Sequence, residues 1–337
     1  MQRNNTLDLY KGLAITLVLI GHAIQATCNT LGLDCFDNIV FKTIYTFHMP
    51  LFMLISGYLF YYSLQKSQNY IHIFKKRFVN FILPIITLSL SITVLTIIFG
   101  KNLTIHMVLK NLFQDVFLWR FWFLWSLLLN TFVVSIAYKY SRNSIITITL
   151  IAILFLFIPD NIILAEHKFV YPFFILGFIA NKKNFVNKLH NNNISLLLLI
   201  ICYSILWYFY KHDYYIYTSG FSIIGKNISI QIYYDIYRFI IGCIGCSLFM
   251  LFVYKLKTLN ILRIFIFLGQ RTLGIYVLQM FAMAFTNKVP TIGNSFASSF
   301  IIMLLVLGSF SILGTLLSEK ASLLRFLVLG KTTNRQK

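Results

Sequence analysis

Apolar residues fall into long runs separated by short polar or basic segments along the whole chain, a pattern that predicts membrane-crossing helices rather than strands or a soluble core. Ten spans are expected, at roughly 9–27, 39–63, 78–99, 117–137, 144–158, 169–180, 194–210, 232–254, 264–286 and 296–318. The fifth and sixth are short against the roughly 20 residues a crossing requires, so either both cross with little tilt or one is re-entrant. The longest pieces between runs, about 64–77, 100–116 and 211–231, are too small for a soluble catalytic domain. The expected fold is therefore all-α: one polytopic integral membrane bundle over residues 1–337, with any active site built from helix walls and short loops.

Composition sharpens this. Of 337 residues, 58% are hydrophobic and 11% charged, and 29 Lys and Arg against nine Asp and Glu give a formal charge of +20. In a soluble chain that excess would suggest nucleic acid. Here the basic residues sit in short loops, where they report topology instead. With the N-terminus cytoplasmic, nineteen fall on the inner side and six on the outer, an asymmetry that puts both termini in the cytoplasm. The first run lacks a small-x-small cleavage site and is read as a retained helix. The five cysteines make no metal pattern, and no metal site is expected. Cys28 and Cys35 share the first outer loop, where an oxidising compartment would allow a disulfide. Cys243 and Cys246, beside Gly242 and Gly245, fit close helix packing. No Gly-rich phosphate loop, paired-carboxylate constellation, HExxH or nucleophile elbow is present.

Ionisable residues inside apolar spans are costly and mark function when they persist. Lys11 and His22 occupy the first span, the cation near one membrane surface and the imidazole at depth. His48 falls at similar depth in the second, antiparallel span, so a cavity shared by the two rings is geometrically allowed. Imidazole suits acid or base work because small shifts bring its pKa to working pH; the competing reading is a neutral ring hydrogen-bonded to a neighbouring helix. Pro50 follows in the same span, either as a packing kink or as a break facing a cavity. Ser56 and Gly57 allow close approach by a neighbouring helix or an elongated ligand. Asp8, three residues before Lys11, shares its helix face and can pair with it. Lys11 itself either snorkels to set orientation or meets an anionic ligand.

These residues resemble the signature of the membrane acyltransferase 3 family, which acylates bacterial surface polysaccharides and related glycans. Asp8, Gly12 and His22 match its first-helix element, with Lys11 in place of Arg. Pro50, Leu51, Phe52, Ser56, Gly57 and Tyr58 match the second. Trp122-Phe123-Leu124 and Thr272-Leu273-Gly274-Ile275-Tyr276 match two later ones. Three positions depart from the pattern: Arg120 and Gln279 stand where His is often found, and Lys11 keeps the charge of Arg without its bidentate fork.

The resemblance implies transfer of an acyl group, most often acetyl, from coenzyme A on the cytoplasmic side to a sugar hydroxyl, in a multi-pass protein of the bacterial inner membrane. The acyl-CoA is a substrate, the acceptor is a glycan or lipid-linked sugar, and no nucleic acid is involved. On that reading Lys11, Arg271 and the loop of Lys75, Lys76 and Arg77 hold the donor, although positive-inside charge alone also explains that loop. Trp122 and Tyr276 either line the donor's path or fill core. His22 deprotonates the acceptor or briefly carries the acyl group, and His48, Arg120 or Arg271 stabilises the oxyanion. A transporter of lipid-linked sugars is the main alternative, but no paired halves with matching interruptions are found. A glycan polymerase would want a larger outer loop.

Overall fold

The computed structural model describes residues 4–66, 70–99, 104–118, 120–141, 144–160, 162–183, 193–289 and 295–331. Every regular element among them is helical: α1 (Asn5–Leu31), α2 (Ile39–Tyr45), α3 (His48–Lys66), α4 (Tyr70–Phe99), α5 (Ile105–Phe117), α6 (Trp122–Tyr140), α7 (Ile145–Leu154), α8 (Ile162–Lys182), α9 (Asn193–Tyr208), α10 (Ile216–Ser219), α11 (Ile228–Leu256), α12 (Arg263–Gly269), α13 (Thr272–Met283), α14 (Phe296–Lys320) and α15 (Ser322–Leu329). Of the basic residues behind the charge asymmetry, Arg3, Lys101, Arg142, Lys188, Arg335 and Lys337 lie outside the described residues.

Among the described residues, six segments are long and apolar enough to cross a bilayer: α1, α2 with α3, most of α4, α6, α11 and α14. A seventh is added if α12 and α13, bent by 72° at the break between them, count as one span. Ten were expected from the apolar runs. The difference falls on the short fifth run, which folds as α7 and a 3-10 turn, on the short apolar α9, and on α8. The sequence pattern starts the sixth span at 169, whereas α8 reaches back to Ile162 and takes in Glu166, His167 and Lys168. Charged residues lower hydropathy without breaking a helix, so the apolar run underestimates its length.

Local chemistry sets the ends. The side chain of Asn4 caps α1 by accepting from the N–H groups of Thr6 and Leu7, and Gly32 closes it in the left-handed conformation at φ 67°. Pro50 lies in the first turn of α3, where its missing N–H costs nothing. The regular helix is interrupted just before it by a turn at Thr46 and Phe47, so the second run folds as α2 and α3 yet remains one crossing segment.

Two helix crossings fix the frame, and both use reciprocal glycines. A Cβ on Gly57 of α3 would overlap the Phe174 carbonyl of α8, and one on Gly177 of α8 would overlap the Leu54 carbonyl of α3. Gly12 of α1 and Gly269 of α12 stand in the same relation to Phe265 and Asp8. In lipid, apolar burial gives little drive for association, so contact of this closeness is what holds helices together. Gly242 and Gly245 of α11 admit the rings of Phe173 and Phe47 in the same way, with Cys246 buried beside them. Cys28 and Cys35 are free thiols. Burial and the neighbouring Cys28 thiol push Cys35 up to about 12.

The core is aromatic and centred on α8, with Tyr171, Phe173, Phe174 and Phe178 fully buried. Large apolar side chains of α4, α9 and α14, such as Ile97, Leu198 and Leu305, face outward, as a lipid-facing surface requires.

Candidate active site

Two cavities lie on either side of Met49, which lines both. The larger, of about 390 Å³, opens at the end of the bundle where α1 begins and α3 ends. Lys11, Arg77 and Lys331 give it a basic rim, Asn80, Gln270 and Thr272 add neutral polar groups, and no carboxylate among the described residues lines it. Deeper in, its walls turn apolar and aromatic through Val18, Phe52, Phe123 and Tyr276. Lys11 is tethered to the buried Asp8 at 2.6 Å. Arg77 donates to Thr131 Oγ1 at 3.1 Å and lies 4.6 Å over the Phe60 ring, with no carboxylate partner among the described residues. Lys331 arrives from far along the chain because α15 packs on α4 and seats Gly330, at φ 62°, against Asn80.

The smaller pocket, of about 30 Å³, is lined by Tyr45, His48, Trp122, Glu166, Tyr215, Tyr217 and Arg238 among others. The segment after α9 covers it and is held by two ionic anchors. Arg238 pairs with Asp235 at 3.2 Å and donates to the Gly220 carbonyl at 2.8 Å and the Ser219 hydroxyl at 2.6 Å. Asp160 pairs with Lys168 and accepts from the N–H groups of Phe221 and Ser222, with Lys226 Nζ at 3.4 Å. Burial alone would raise the Asp160 carboxyl. The bonds from Lys168, Ser222 and Phe221 outweigh it and hold the group below its ordinary range.

Each candidate imidazole has an oxygen acceptor within hydrogen-bond range of Nδ1. His48 Nδ1 is 2.8 Å from the Ile44 carbonyl, an acceptor only, so Nδ1 carries the hydrogen and Nε2 is left as the basic nitrogen. His22 Nδ1 is 3.2 Å from Gln25 Oε1, which leaves its Nε2 free too. His48 is buried in the smaller pocket. His22 is half-buried one turn beyond Val18 of the larger cavity, within electrostatic reach of His48.

The other candidate residues divide. Lys11, Ser56 and Tyr276 meet around the basic cavity, Tyr276 against Phe123 at 5.4 Å, with Asp8 behind Lys11. Trp122 lines the small pocket rather than the basic cavity. Arg271 lines neither: it pairs with Glu319 at 2.9 Å and stacks over Phe267. Arg120 is likewise outside both, paired with Asp115 at 2.9 Å in a separate polar pocket of about 360 Å³ between α4 and α5. A fixed carboxylate partner for each explains why neither cation projects into the cavities. The expected basic loop is instead the start of α4, where Arg77 reaches the cavity while Lys75 and Lys76 are exposed. Among the described residues no group of His, Cys, Asp or Glu could hold a metal ion.

Sequence reasoning missed Glu166, His167, Tyr217 and Lys331. Three successive ionisable residues directly before an apolar run were the available signal for the first two, since helical spacing sends each in a different direction.

Comparison with protein families matches residues 4–319 to the acyltransferase 3 family, described as an acyltransferase domain. Among curated proteins the chain is similar to nodulation protein NolL of Mesorhizobium japonicum, 34% identical over 182 residues, and to nodulation protein NolL of Sinorhizobium fredii, 28% identical over 179 residues. Each match covers 52% of this chain and 48% of the relative, so the chain spans about half the length of the curated relatives it matches. No solved structure matches the chain.

Proposed function

From the premise that the chain belongs to the acyltransferase 3 family and is a membrane O-acyltransferase, we propose that it moves an acetyl group from acetyl-coenzyme A to a hydroxyl of a cell-envelope glycan or lipid-linked sugar. The membrane is the bacterial inner membrane, crossed ten times with both termini cytoplasmic. That orientation gives the basic cavity a cytoplasmic mouth and turns the small pocket toward the other side.

The observation that carries this reading is the meeting of the two cavities at Met49, one basic-rimmed and one aromatic. Lys11, Arg77 and Lys331 attract the donor's phosphates, and the apolar channel past Ser56 and Tyr276 suits the pantetheine arm and thioester. His22 Nε2 takes the acceptor's hydroxyl proton as its oxygen attacks the thioester carbonyl. The ester C–O bond forms, the C–S bond breaks, and the imidazolium returns the proton to the departing thiolate. His48, in the pocket on the far side of Met49, is the group available to stabilise the developing oxyanion.

The test is labelled acetyl transfer in membranes containing the protein, followed by mass spectrometry of the glycan fraction. The expected result is label covalently on glycan, absent with His22→Ala. Sugar or acyl movement across the membrane without a new covalent bond would instead favour a transporter.

A further inference from the structure

Resting on that reading, we propose that Glu166 is the acceptor-binding carboxylate of the small pocket, taking a hydrogen bond from a sugar hydroxyl adjacent to the one that is acylated. The first turns of α8 carry three ionisable residues in succession, and their fates differ. Lys168 is tied to Asp160 and to the Ile158 carbonyl at 2.7 Å. His167 shares a hydrogen bond with Ser126 and lies against Trp122, ring centroids 6.3 Å apart. Glu166 is 7% exposed, lines the pocket, and has neither a hydrogen bond nor an ion pair among the described residues. A buried carboxyl without a partner is costly to folding, and its survival here calls for a ligand that completes it.

The surroundings specify that ligand. Tyr45 and Tyr217 stand within electrostatic reach of Glu166, and Trp122 and Tyr215 complete an aromatic wall. The Tyr215 hydroxyl is buried and unpaired as well. Arg238, the cation of this pocket, is already engaged by Asp235, Gly220 and Ser219. A carboxylate that needs donors, set among rings that pack on C–H faces, recognises a neutral polyol. With Arg238 engaged, no cation of this pocket among the described residues is left to hold the phosphates of a coenzyme A donor, so the work of Glu166 belongs to the acceptor. The Nδ1 atoms of His48 and His22 already have their acceptors in Ile44 and Gln25, so neither ring needs Glu166 there.

The experiment uses full-length protein in nanodiscs with acetyl-coenzyme A, and methyl glycosides and octyl glucoside as probe acceptors. It follows thiol release with and without sugar, in wild type, Glu166→Gln and Glu166→Asp. In Glu166→Gln the KM for the probe sugar rises about tenfold or more, as loss of a buried hydrogen bond to the sugar predicts, while the KM for acetyl-coenzyme A is unchanged. Glu166→Asp falls between. The melting temperature of Glu166→Gln stays level or rises, because the amide replaces a buried carboxyl that has no partner among the described residues; a purely structural carboxyl would lower it. An unchanged sugar KM in Glu166→Gln, a matching rise in donor KM, or a drop in melting temperature overturns the proposal. Wild-type protein that releases no thiol, with or without sugar, would overturn the acyl-transfer reading beneath it.

Discussion

The two cavities that share Met49 are built on opposite principles. The basic one is wide, and Lys11, Arg77 and Lys331 are permanent charges around a space with no carboxylate in its lining among the described residues. The aromatic one is more than tenfold smaller by volume, about 30 against 390 Å³, and its cation, Arg238, is already paired with Asp235, which leaves a carboxyl, an imidazole and tyrosine hydroxyls under a pinned segment. A fixed charge recruits a charged ligand by long-range attraction and tolerates imprecise fit, whereas neutral or titratable groups act only at hydrogen-bond range. The contrast teaches that one bundle can keep two substrates apart by physics alone, with electrostatic capture on one side and contact recognition on the other.

The strongest way to break that division is at the ring on which the proposed transfer depends. His22→Ala should cut transfer roughly 10²- to 10⁴-fold, the range expected for loss of an acid–base group, while membrane insertion and melting temperature stay at wild-type levels. Full activity in that variant would remove the ring from the chemistry. Gly57→Leu should damage both cavities together, because α3 lines each of them and its side chain would collide with the α8 backbone. Overpacking of this kind costs about 1–3 kcal/mol or more, readable as a lower melting temperature and parallel loss of donor and acceptor binding.

Lys11→Ala and Arg77→Ala sharpen the comparison, since each should raise the KM for acetyl-coenzyme A about tenfold, the value of a charge-assisted contact, and leave the acceptor KM flat. The reverse pattern would move the donor to the other cavity. The smallest effect concerns the pinned segment. The Asp160 carboxyl is held below its ordinary range in the folded protein, so its stabilising contacts are present above the unfolded carboxylate pKa, about 3.9. They are lost as pH falls through the depressed folded value. Hydrogen exchange at Phe221 and Ser222 should therefore accelerate only under strong acid, and Asp160→Asn should accelerate it at neutral pH.

How much of this was legible in the sequence follows from what periodicity can see. His48, Ser56 and Gly57 were readable because each is anomalous within its own span, and Gly57 proves to be a backbone contact with α8. Lys11 was readable for the same reason, and Asp8 through its helical spacing. The start of α8 was not, because Glu166, His167 and Lys168 imitate a loop in hydropathy while continuing a helix. Arg271 and Arg120 looked available until tertiary structure supplied Glu319 and Asp115 as partners. Lys331 carried no signal at all, since only the docking of α15 on α4 brings the end of the chain to the rim of the cavity. One-dimensional pattern reports which face of a helix is unusual, and not which other helix answers it.

The 72° bend between α12 and α13 has an electrostatic consequence of its own. A continuous rod would bury its peptide dipoles end to end. Starting afresh at Thr272, with no side chain capping the new terminus, α13 turns the positive pole of its macrodipole toward the chamber that Gln270, Thr272 and Leu273 border. That pull on anions resides in the main chain, so a residue of donor affinity should outlast removal of every lysine and arginine around it.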